Sequence, residues 1–110
     1  MQTTSLTALA AQQLEVARTS SAGRSAVTVH GGREHDLRQT LIAMASGTRL
    51  GEHESPGEAT IQVLEGEVTL HAGGEAYDLH EGEHGVIPPM RHDLVAGTDA
   101  VVLLTVATRA

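Results

Sequence analysis

Chemistry in this chain has to come from imidazole and carboxylate. Seven His and fourteen Asp or Glu stand among 110 residues with no Cys and no Lys, and all seven basic side chains are Arg. Without Cys there is no thiolate nucleophile, disulfide, iron–sulfur cluster or Cys-ligated zinc. Without Lys there is no Schiff base. What remains is metal ligation by His and carboxylate, or acid–base work by an imidazole titrating near neutral pH. These groups are unevenly placed. Between Leu50 and Met90 lie nine acids and no Arg, together with His53, His71, His80 and His84, and His92 follows just beyond. Most of the acids sit beside Gly, so solvated turns account for the total. Near His53 the same charges make a field that favours a cation and repels a bare anion unless a metal or His⁺ offsets it.

The elements that must position these residues read as strands. Val27–His30, Asp36–Ala45, Ala59–Leu64, Glu67–Ala72, Glu75–Leu79, Gly85–Ile87, His92–Val95 and Ala100–Ala107 are short apolar or β-branched runs. Gly31-Gly32, Ser46-Gly47, Glu65-Gly66, Gly73-Gly74, Glu81-Gly82, Pro88-Pro89 and Gly97-Thr98 punctuate them. Short strands recurring about every ten residues with turns between them predict an antiparallel sandwich or barrel. Ahead of them, Thr3–Thr19 has Leu6, Leu9, Ala10 and Ala17 at helical spacing, with Thr3, Thr4 or Ser5 as cap. This predicts a short helix that either docks on the domain or forms a loose arm. The division expected is residues 1–24 as helix or arm and residues 25–110 as one β domain, which suits the length of the chain.

Composition narrows the partners. A net charge of −7 and a single aromatic, Tyr77, argue against nucleic acid, which needs basic surface and stacking platforms. No apolar run approaches the ~20 residues of a membrane span, and the N-terminus lacks a basic, then apolar, leader pattern. The expectation is a soluble cytoplasmic protein with no membrane contact.

Two spaced patterns carry more information. Gly47 is followed by five residues and then His53-Glu54-Ser55, with Ala59 four positions after Ser55 and six further residues to Gly66, inside Val63-Leu64-Glu65-Gly66-Glu67-Val68. Fifteen residues later comes Gly82, then five residues to Pro88, and then His92-Asp93-Leu94-Val95. From Leu37 to Val106 this resembles the cupin superfamily, the small single-domain bacterial members in particular. The resemblance implies an all-β fold, an antiparallel double-stranded β-helix or jelly-roll barrel, here with a short N-terminal helix. It also implies a homodimer.

In metal-binding cupins two His and a Glu of the first pattern converge with one His of the second. Carried over, those positions are His53, Ser55, Ala59 and His92, so two of the four donors are replaced. The second pattern departs too: Met90 stands where Gly is usual, the step from Pro to His is one residue short, and Ala96 replaces a frequent Asn. Two imidazoles alone make a poor divalent-ion site, since catalytic centres generally use three protein ligands and an exchangeable water. Glu58 and His84 are the substitutes to consider. Strand parity turns Glu58, like Glu54, away from the side on which 53, 55, 59, 61 and 63 lie, and His84 reads equally as an exposed turn residue. Leu50 and Met90 are the side chains that could plug the space between the rings.

Three functions compete. A small-molecule-binding barrel would use aliphatic walls with His53, Ser55 and His92 as polar anchors. A mononuclear metal-dependent enzyme, dioxygenase- or isomerase-like, would use His53 and His92 plus a non-standard third ligand around Fe, Mn, Ni or Zn. A metal-free enzyme would use one of the two histidines as general base. The parity of the available carboxylates favours the first.

Overall fold

The computed structural model describes residues 1–55 and 57–108. One helix, α1 (Leu6–Thr19), precedes eight strands: β1 (Arg24–His30), β2 (Leu37–Met44), β3 (Glu58–Glu65), β4 (Glu67–Ala72), β5 (Glu75–His80), β6 (His84–Val86), β7 (His92–Ala96) and β8 (Ala100–Ala107). They form two antiparallel sheets, of order β1-β2-β8-β3-β6 and β5-β4-β7, packed face to face as a jelly roll. The alternation in β3 and β4 explains the packing. Ala59, Ile61, Val63, Val68, Leu70 and Ala72 point inward and are buried, while Glu58, Gln62, Glu65 and His71 are exposed. Leu94, Val102 and Val106 complete the core between the sheets.

β2 is apolar on both parities because both of its faces are covered. Ile42 and Met44 face the other sheet, and Leu41 and Ala43 face α1. The helix is capped by Ser5, whose hydroxyl accepts the Ala8 N–H at 3.2 Å. It lays Ala10, Leu14 and Ala17 on Leu41, Ala43, Val101 and Leu103. Residues 1–24 therefore carry a docked helix, and Leu14, absent from the stripe read off the sequence, is central to it at 3% exposure.

One pairing was not foreseen. The chain between β2 and β3 runs antiparallel along β7: Gly47 N–H donates to Ala96, Leu50 N–H to Leu94, and His53 N–H to His92. The three-stranded sheet thus gains an irregular fourth member, and this brings His53 to His92. On the opposite side β5 and β6, the last strands of their sheets, leave a seam.

Candidate functional site

His53 and His92 enter the interior from adjacent strands. Each one's backbone N–H donates to the other's carbonyl, both at 3.0 Å. His92 lies across from Ala72 of β4 and Leu94 from Leu70, which places the imidazole on the inward face. The ring is 4% exposed. The two rings meet edge to face, centroids 4.3 Å apart and planes at 69°. Each Nδ1 faces a carbonyl two residues before it: His53 that of Gly51 at 3.0 Å, and His92 that of Met90 at 2.8 Å. A carbonyl only accepts, so Nδ1 carries the proton, and in the neutral ring Nε2 keeps its lone pair.

An unforeseen residue holds this arrangement. Asp93 follows His92 and points the other way, yet it is buried because residues 49–51 cross over it. Its Oδ1 accepts the N–H of Gly51 and of Leu94, both at 2.8 Å, and Oδ2 lies 3.4 Å from Arg49 Nε. Asp93 therefore fixes the peptide leading into Gly51, whose carbonyl orients His53. The only sequence signal is an acid inside an apolar strand, and it acquires meaning once the 47–53 pairing is known. Outside the barrel, Arg91 bonds Glu52 at 2.8 Å and Glu54 at 3.1 Å. Those hydrogen bonds, Glu52 first, hold its guanidinium pKa above the ordinary value.

Ser55 turns its hydroxyl onto the Gly57 carbonyl at 2.7 Å, within its own turn. Glu58 is exposed at the start of β3, on the outward parity, and His84 is exposed at the start of β6. Met90 lies outside the core, 44% exposed and against Gly73, so it does not plug the rings. Leu50 does line their cavity.

Residues 40–107 match the family model described as a cupin domain. The chain belongs to the cupin-domain family. Among solved structures it is similar to a conserved protein of unknown function from Streptococcus pyogenes, at 27% identity over 83% of this chain and 79% of that one, with a TM-score of 0.73. It is also similar to a cupin superfamily protein from Desulfitobacterium hafniense, at 16% identity over 78% of each chain, with a TM-score of 0.72. A salicylate 1,2-dioxygenase from Pseudaminobacter salicylatoxidans shares the fold, at 18% identity and a TM-score of 0.75; the match covers 91% of this chain and 33% of the enzyme. No curated protein sequence matches the chain.

The cupin interior here does not fit a metal ion. The Nδ1 anchoring would suit two ligating Nε2 atoms, but among the described residues no set of three His, Cys, Asp or Glu side chains converges. The remaining walls around the rings are Ile42, Leu50, Ile61, Leu70, Ile87 and Leu94, with Val102 and Leu104. The space they leave is about 20 Å³, enough for one water.

A larger space adjoins it at the seam between β5 and β6. This cleft of about 270 Å³ is floored by Ile61, Leu70, Leu79 and Ile87 and rimmed by Tyr77, Asp78, Glu83, His84 and Val86. Ile61, Leu70 and Ile87 line both spaces and form the wall between cleft and histidines. A third, polar hollow on the outer surface, around His71, Arg49 and Arg91, has its Arg side chains already paired, with Asp93, Glu52 and Glu54.

Proposed function

We propose that this cupin is a small-molecule-binding barrel whose ligand sits in the β5–β6 cleft, with His53 and His92 as the polar end behind the aliphatic wall. The contrast in volume carries the reading. About 270 Å³ of largely apolar space opens at the seam, against about 20 Å³ between the rings. Ligand pockets are concave and mostly apolar, with few polar groups, and a volume just under the usual range suits a small ligand. A shift of Ile61, Leu70 or Ile87 would join the two spaces and let a hydrogen-bond donor reach an Nε2 lone pair. Ser55 contributes through its turn. The reading includes the cytoplasmic setting and the homodimer expected from the sequence; light scattering of the purified protein checks the latter.

A fragment screen followed by NMR tests it. Binders should move the resonances of Tyr77, Val86 and Ile87, and the tightest of them should also move His53 or His92. A screen whose binders all perturb other surfaces would overturn the proposal.

A further inference from the structure

The charge around the cleft names its ligand class, an inference that rests on the binding reading above. The floor is aliphatic, so the body of the ligand is apolar. The rim carries two carboxylates, Asp78 and Glu83, and the chain's only aromatic ring, Tyr77, which is 45% exposed. Among the described residues no Arg lines the cleft, and the chain has no Lys. His84 is the one rim group that can become positive.

Both carboxylates are held in place. Asp78 Oδ1 accepts the Thr69 hydroxyl at 2.7 Å, and Glu83 Oε1 accepts the His80 N–H at 2.7 Å. Each of these bonds engages one carboxylate oxygen, so the charge is oriented by the fold at little further entropic cost. An entering anion would leave water for a cleft with no fixed cation, beside two like charges. An ammonium head would meet both carboxylates and the face of Tyr77, a cation–π partner at ring distances of up to roughly 6 Å. The floor would take the hydrocarbon tail.

We infer that the β5–β6 cleft takes a small organic cation, an alkylammonium with a short apolar tail, and discriminates against carboxylates and phosphates.

Pentylammonium, pentan-1-ol and pentanoate share a chain length and differ in charge, so titrating each into the protein, followed by the Tyr77, Val86 and Ile87 resonances, isolates the inference. The expected order is pentylammonium, then the alcohol, then pentanoate, with about tenfold or more between the first and last. Asp78→Asn and Glu83→Gln keep the hydrogen bonds to Thr69 and His80 and remove the charges, and the double variant should reduce that ratio to near one. Gly85→Ala adds a methyl 3.1 Å from Leu79 Cδ2 and 3.6 Å from Ile61 Cγ2, at the cleft floor; it should weaken all three probes together.

Equal or tighter binding of pentanoate would overturn the cation inference while leaving the cleft a binding site. The same holds for a preference that survives the double variant. If no probe moves the cleft resonances, both readings fail. Shifts at Tyr77 and Val86 that follow protein concentration without any probe would assign the cleft to a second copy of the chain and also overturn the inference.

Discussion

His53 and His92 are joined twice. Their backbones exchange hydrogen bonds of 3.0 Å in both directions, and their rings stack edge to face at 4.3 Å. The same geometry ties each Nδ1 to a backbone carbonyl. Both neutral rings should therefore be the Nδ1–H tautomer, with Nε2 unprotonated. Long-range ¹H–¹⁵N correlation spectra report this directly. The pattern of an Nε2–H ring for either residue would show that the carbonyl of Gly51 or Met90 does not set its orientation.

Asp93 should matter to His53 without touching it. Asp93→Ala removes the acceptor of two backbone N–H groups, Gly51 and Leu94. A buried donor left unsatisfied costs about 1–3 kcal/mol, so urea denaturation should show a loss of at least that order. The His53 ring resonances should shift further than in Asp93→Asn, which retains an acceptor oxygen. Equal spectra for the two variants would make Asp93 a stability residue only.

The docked helix has a pH-dependent tie. Asp99 accepts the Ser46 N–H at 2.8 Å and the Arg18 Nε–H at 2.9 Å. The bond from Ser46 first, and then that from Arg18, holds the carboxyl pKa below its ordinary value. A carboxylate with a lowered folded pKa stabilises the fold fully above its unfolded pKa of about 3.9 and loses that contribution as the pH falls through the folded value. Asp99→Asn should thus melt below the parent protein at pH 7, and the difference should close as the pH is taken below about 4. A constant difference across pH 3–7 would remove the charge from the account.

Two turn glycines should respond differently to the same methyl. Gly66 has φ +79°, and a Cβ there would lie 2.2 Å from the Asp99 carbonyl oxygen and 3.0 Å from Ala100 Cα, so backbone has to move. Gly82 has φ +86° with open space around it. Gly82→Ala should cost the left-handed conformation alone, about 1–2 kcal/mol. Gly66→Ala should cost clearly more, or prevent folding. Thermal melts of the pair, side by side, decide it.

Much of this was legible in the sequence, for a physical reason. Strand period and turn residues are local, so β3, β4, β5 and β8 fall within one or two residues of their expected limits, and the parity of Glu58 is as expected. The spacing around Gly47, Gly66, Gly82 and His92 is a property of the whole topology and marked the family. What stayed hidden depends on non-local packing. The 47–53 segment has no strand composition, and only its bonds to β7 reveal it and give Asp93 a role. The interior volume is set by how Leu50, Leu104 and their neighbours interdigitate, which no spacing encodes. An interior cup was therefore expected where the fold leaves room for one water, and the usable space lies at the β5–β6 seam, around Tyr77 and Val86. The docking of α1 was implicit in β2, whose two apolar parities needed two covers.

The central claim is that the two histidines form a pair without a third protein donor, beside a cleft that binds rather than a metal that reacts. Calorimetric titration of untagged, chelator-treated protein with Zn(II), Mn(II) and anaerobic Fe(II) tests it most directly, with His53→Ala and His92→Ala alongside. The account predicts no stoichiometric site that the two substitutions abolish. One equivalent of metal bound tightly by the parent protein and lost in both variants would contradict it.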